Sequence, residues 1–139
     1  MFVGTFEHSL DDKGRAVLPS AFRGYLVEGG VAANLGDCIG VWTPDEFKNI
    51  ANEWNSRVKQ GQATLKFFRV FMASAAEVRP DSQGRISLPQ HLRDQAGLGK
   101  DLVINGRFDR IEIWGADNWQ NLTEDSETSL AEAVSELGI

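Results

Sequence analysis

Cysteine is almost missing from this chain. Cys38 stands alone among 139 residues, so no intrachain disulfide can form, and a reducing cytoplasm suits it. Histidine is nearly as scarce. His8 and His91, taken with Cys38, show none of the spacings by which zinc is held, so no metal site is expected. No apolar run is long enough to span a bilayer. Residues Met1 to Leu10 alternate polar and apolar side chains without a basic n-region, so no signal peptide is expected. A Gly-rich phosphate loop and a nucleophile elbow are both lacking, and with them the commonest grounds for expecting a cofactor or an acyl-transfer enzyme.

Positive charge is also short. Fourteen Lys and Arg face twenty Asp and Glu, a net charge of −6, which by itself argues against a polyanionic partner. The distribution weakens that objection. Six acids (Asp117, Glu124, Asp125, Glu127, Glu132 and Glu136) and no Lys or Arg fall between Ala116 and Ile139. Residues 1–115 are therefore balanced, fourteen against fourteen, and can carry a local basic face. The apolar share of 42% is ordinary for a globular protein, and 139 residues suit one compact domain.

What the chain does have is a repeat. Residues 7–23 read E-H-S-L-D-D-K-G-R-A-V-L-P-S-A-F-R, and residues 77–93 read E-V-R-P-D-S-Q-G-R-I-S-L-P-Q-H-L-R. Seven positions are identical at an offset of 70: Glu7/Glu77, Asp11/Asp81, Gly14/Gly84, Arg15/Arg85, Leu18/Leu88, Pro19/Pro89 and Arg23/Arg93. Two copies are too few for a solenoid and suit two halves related by a pseudo-twofold. Each copy reads as strand, D-x-x-G-R turn, strand, Pro, short helix. The Asp carboxylate caps turn N–H groups, and the Gly supplies a positive φ without steric cost.

Phe2 to Ser9 reads as a strand, and Ser20 to Tyr25 as the first short helix. Val31-Ala32-Ala33 and Ile39 to Trp42 read as further strands. Thr43-Pro44-Asp45-Glu46 is a strong helix start, with Thr43 at the N-cap, Pro44 at N1 and Glu46 at N3. Residues 63–73 are apolar nearly all round, which predicts a helix buried on more than one side. Leu102-Val103-Ile104, a turn at Asn105-Gly106 and Arg110 to Trp114 predict a hairpin. From Ile39/Ile111 through Trp42/Trp114 to Phe47/Trp119 the repeat resumes at an offset of 72. The expected helices span about 44–58, 63–73 and 116–135.

The start M-F-V-G-T-F-E-H-S-L-D-D-K-G-R, the stretch P-D-S-Q-G-R-I-S-L-P and the segment I-E-I-W resemble the MraZ family over essentially the whole chain, the tail beyond Leu122 excepted. The resemblance implies an α+β fold in which two tandem AbrB-like β-α-β repeats form a pseudo-twofold β-barrel with flanking helices. Residues 1–139 are then a single domain: repeat 1 over 5–48, a helical linker over 49–74, repeat 2 over 75–120, and an acidic tail over 121–139. It further implies a cytoplasmic, nucleoid-associated regulator that binds double-stranded DNA at promoter direct repeats. The expected target is the division and cell-wall gene cluster, including its own promoter. A ring-shaped homo-oligomer is also implied.

Arg15 and Arg85 are the first candidates for DNA contact, because a guanidinium fork matches guanine O6 and N7 or a phosphate. Lys13, at the tip of the first turn, is the candidate for a phosphate; Gln83 replaces it in the second, less basic turn. Asp11, Gly14, Asp81 and Gly84 are expected to support the turns. The bland reading is that each Arg only braces its turn through the Asp. Both roles are compatible if the Asp orients the Arg. Arg23 and Arg93 are expected to pair with local carboxylates, and Arg79, Arg107 and Arg110 are weaker candidates. Two other classes are open: an aspartic dyad of Asp11 and Asp81 sharing a proton, and an antitoxin-like or scaffolding module without DNA binding. Neither copy shows the D-[TS]-G of aspartic proteases, and an Arg four residues on would hold each Asp ionised, so no enzyme is expected.

Overall fold

The computed structural model describes residues 1–124 and 126–139, the side chains of 126–128 excepted. In the first half, strands β1 (Thr5–Ser9) and β2 (Arg15–Val17) lead to helix α1 (Ser20–Arg23) and a 3-10 turn over Gly24–Leu26. Strands β3 (Gly30–Asn34) and β4 (Ile39–Trp42) follow, then helices α2 (Pro44–Lys59) and α3 (Leu65–Ser74). The second half repeats the order: β5 (Ala76–Val78), β6 (Arg85–Ser87), α4 (Gln90–Gln95), β7 (Asp101–Gly106), β8 (Ile111–Gly115), α5 (Ala116–Thr123) and α6 (Ser126–Leu137).

The fold is α+β and its sheets are antiparallel. One sheet has six strands in the order β1-β7-β8-β4-β3-β5, and a second pairs β2 with β6. Read from either end, the larger sheet gives the same sequence of equivalents, so a pseudo-twofold passes between β8 and β4. The opening strands are exchanged. β1 lies on β7, from Thr5↔Asn105 to Ser9↔Asp101, while β5 lies on β3. The small sheet joins the halves at the axis, with Ala16 opposite Ile86.

Alternation along the strands creates one shared core. Ile39 and Val41 of β4, Ile111 and Ile113 of β8, and Ala16 and Ile86 of the small sheet all enter it. Leu18, Phe22, Leu88 and Leu92 join them from the segments after β2 and β6. Phe2 and Phe6 meet Phe22 edge-on, with ring centroids 5.4 and 5.3 Å apart. The opposite pleat carries Trp42 and Trp114 to the outer face of the large sheet. There Trp42 packs with Phe47 and Phe71 of α2 and α3, and Trp114 packs with Trp119 of α5. Thr43 caps α2 as the sequence predicts, its Oγ1 accepting from the Glu46 N–H at 3.3 Å.

Three expectations are corrected. Asn105-Gly106 is not the hairpin turn but the end of β7, opposite Glu112 and Ile111; the chain reverses over residues 107–110. The N-terminus enforces this, because Gly106 N–H donates to Gly4 C=O and Phe2 exchanges backbone hydrogen bonds with Phe108, each 2.9 Å long. Phe108 thereby takes a positive φ of 61°, and Gly36 takes one of 92° in the equivalent loop of the first half. Helix α3 buries one side only: Phe71 and Ser74 are inside, while Leu65, Phe67, Val70 and Met72 are exposed. Finally, the last helix is two. Glu124 is extended (ψ 133°), and Thr123 turns its hydroxyl back onto Trp119 C=O at 2.9 Å. Residue 125 lies outside the described residues.

Candidate functional site

Each D-x-x-G-R segment folds into a turn built almost entirely by its aspartate. Asp11 Oδ1 accepts from the backbone N–H of Lys13 at 2.9 Å and of Arg15 at 2.8 Å, and its Oδ2 accepts from Arg15 Nε at 2.8 Å. Asp81 does the same with Gln83 N–H (2.9 Å), Arg85 N–H (2.9 Å) and Arg85 Nε (2.8 Å). Two backbone bonds close each loop, Asp11 N–H to Arg15 C=O and Gly14 N–H to Asp11 C=O, with their counterparts at Asp81, Arg85 and Gly84. Gly14 and Gly84 sit at φ 75° and 77°, where a side chain would be strained.

The mode of pairing matters more than its presence. Each arginine is gripped through Nε, on one side of its guanidinium. Among the described residues, the Nη groups of Arg15 and Arg85 have no hydrogen-bond acceptor. Both side chains are 25% exposed. A guanidinium has five donors in a fixed fork, so four per turn are left for another partner. Bracing and availability coexist.

The same contacts set the charge of the carboxylates. The Arg15 backbone N–H, followed by its side chain and the Lys13 N–H, holds Asp11 below the ordinary aspartate value of 3.8, and the Arg85 N–H does so for Asp81. Each carboxylate is thus kept ionised, the reverse of what a shared proton requires. Because the folded values are depressed, the turn's stabilisation is complete above pH 3.8 and is lost as pH falls through the folded value. An NMR titration should find both carboxyl midpoints below 3.8, with the Lys13 and Gln83 amides losing exchange protection only there. A midpoint at or above 3.8 contradicts the geometry.

The two turns are neighbours. Beyond the β2–β6 ladder, Leu18 N–H donates to Gly84 C=O at 2.9 Å and Leu88 N–H to Gly14 C=O at 3.0 Å. Arg23 and Arg93 depart from expectation. Neither pairs with a carboxylate among the described residues; Arg23 Nε donates to Leu18 C=O at 2.8 Å and Arg93 Nε to Leu88 C=O at 2.9 Å. Their recurrence at the 70-residue offset was the only sequence signal that marked them. The weaker candidates are engaged elsewhere. Arg79 donates to Val27 and Glu28 C=O, Arg107 meets Asp109, and Arg110 pairs with Glu112 at 3.0 Å.

Burial, with the charge of Glu112, pushes the Cys38 thiol up to about 12 and disfavours the reactive thiolate. Among the described residues no group of three His, Cys, Asp or Glu is placed to hold a metal ion, and no helix is long and apolar enough to cross a membrane.

The comparisons with known proteins agree on one family. The family model described as "MraZ protein, putative antitoxin-like" matches twice, over residues 1–68 and 71–137. A transcriptional regulator MraZ of Salinispora arenicola is 42% identical over 134 residues, covering 95% of this chain and 94% of the relative. That of Frankia alni is 42% identical over 139 residues, covering 99% and 96%. That of Acetivibrio thermocellus is 39% identical over 143 residues, covering the whole of both. A model that matches twice, on a chain whose two halves carry the same turn, leaves one conclusion: this chain belongs to the MraZ family.

Proposed function

We propose that this protein is a sequence-specific DNA-binding transcriptional regulator without catalytic activity or cofactor, and that the paired turns are its reading head. One observation carries this: each turn presents a guanidinium oriented by its Asp through Nε, with its Nη groups uncommitted among the described residues, and the pseudo-twofold presents it twice. Arg15 and Arg85 bind base edges or phosphates, Lys13 a phosphate, and Asp11, Gly14, Asp81 and Gly84 hold the geometry. The relatives are named as transcriptional regulators, which supports the reading. The core common to both sheets supports treating them as one pseudo-twofold barrel. The family further points to repression at direct repeats in the promoter of the division and cell-wall gene cluster, its own promoter included. It also points to a homo-oligomeric ring and a place at the nucleoid.

A gel shift with duplex DNA from the promoter of its own gene tests this. The logarithm of affinity should fall linearly with the logarithm of salt concentration. Lys13→Ala should flatten that slope by about one unit, the signature of one phosphate contact. A shift indifferent to salt rules the interface out. The second reading is an antitoxin-like or scaffolding module that acts through protein contacts, favoured by the exposed apolar side of α3. It predicts no salt-dependent shift, and no effect of Arg15→Ala on partner binding.

A further inference from the structure

Arg23 and Arg93 belong to the short helices α1 and α4, yet each lies against the turn of the other half. A Cβ added to Gly14 would stand 2.6 Å from Arg93 Cζ and 2.7 Å from its Nη2. A Cβ added to Gly84 would stand 2.6 Å from Arg23 Cζ and 2.8 Å from its Cδ. Each guanidinium is anchored at its own half by a bond to Leu18 or Leu88 C=O, and each of those leucines donates its N–H to the glycine carbonyl of the opposite turn. The glycines therefore serve two ends. They supply the positive φ, and they leave room for the guanidinium end of an arginine from the far repeat against the loop.

We infer that Arg93 positions the turn of Asp11 and Arg15, and that Arg23 positions the turn of Asp81 and Arg85. Neither repeat contains a complete turn; each borrows its floor from the other. A planar guanidinium fills such a slot, and the narrow, flexible ammonium stem of lysine does not, although the charge is the same. Removing the floor loosens Arg15 or Arg85 without unfolding the chain, and a loosened contact binds less tightly because its ordering must be completed on the DNA.

This inference rests on the DNA-binding reading, and its test is crosswise. Affinity of the full chain for duplex DNA from the promoter of its own gene is measured for Arg93→Lys and Arg23→Lys, each alone and combined with Arg15→Ala or Arg85→Ala. Arg93→Lys alone should lose about tenfold. It should lose the same in the Arg85→Ala chain and less than about twofold once Arg15→Ala has disabled the turn it serves. Arg23→Lys should show the mirror pattern. A merely structural arginine would give equal losses in both backgrounds. Equal losses, pairing of Arg23 with Arg15, or an Arg93→Lys chain that binds like the unaltered one would each overturn the inference. Thermal unfolding supplies an arm that needs no DNA. The destabilisation by Gly14→Ala should shrink in an Arg93→Ala chain and not in an Arg23→Ala chain; the same destabilisation in both overturns the crosswise floor. Failure of the unaltered chain to bind DNA removes the proposed function, while the unfolding arm still decides whether each turn rests on the opposite arginine.

Discussion

DNA carrying several operator repeats should bind this protein about 10²–10⁴ times more tightly than DNA carrying one, with no new kind of contact at the second repeat. A single chain offers two turns, and its residues 116–139 hold six acids and no Lys or Arg, so one subunit on one repeat should be a weak binder. Assembled subunits change the arithmetic, since once one is seated the next encounter is intramolecular. The surface we propose for assembly is on α3. Phe67 is 59% exposed and Val70 51% on one face, Leu65 and Met72 are exposed on another, and isolated soluble chains seldom leave so much apolar surface on one helix uncovered. Light scattering should therefore find an oligomer, and Val70→Glu should reduce its mass and collapse the preference for multiple repeats to near unity. A monomer that binds single and multiple repeats alike discards the assembly model. If the oligomer survives charged substitutions at every exposed position of α3, the contact lies on another face.

The second large effect concerns the turns. Arg15→Ala and Arg85→Ala should each cost about 1–3 kcal/mol of specific binding per site, the worth of one bidentate base contact. The fold should survive, because Asp11 Oδ1 still accepts from the backbone N–H groups of residues 13 and 15 when the side chain is gone. Circular dichroism checks the fold and anisotropy titration the affinity. Unchanged affinity in both variants, with normal dichroism, removes these residues from the interface. The two losses need not be equal, since Lys13 accompanies Arg15 while Gln83 accompanies Arg85.

The parts legible in the sequence are those that local chemistry decides. Asp11 and Gly14 specify their turn within five residues, and so do Asp81 and Gly84. Thr43, Pro44 and Glu46 specify the start of α2 within four. The errors arise where distant chain intervenes. Asn105-Gly106 has the composition of a tight turn, yet the incoming Gly4 and Phe2 extend the sheet past it, and Phe108 is left with the positive φ. Helix-end arginines ordinarily find carboxylates nearby. Arg23 and Arg93 find a leucine carbonyl and a glycine of the other half, 61 and 79 residues away, a contact visible only once the halves are placed together. The break at Glu124 and the exchange of β1 with β5 leave no local mark either.

That exchange has a consequence for synthesis. When the ribosome has completed β4, the chain has made β1, but its partner β7 is still some sixty residues from emerging. Meanwhile β3 shows a bare edge where β5 will lie. The nascent first half is thus an incomplete sheet with open hydrogen-bonding groups, an invitation to pair with another nascent copy. Chains made side by side on one message can satisfy each other's edges before their own second halves exist. Long-range closure of this kind is intrinsically slow, so the rate at which residues 76–115 appear sets how long that window stays open.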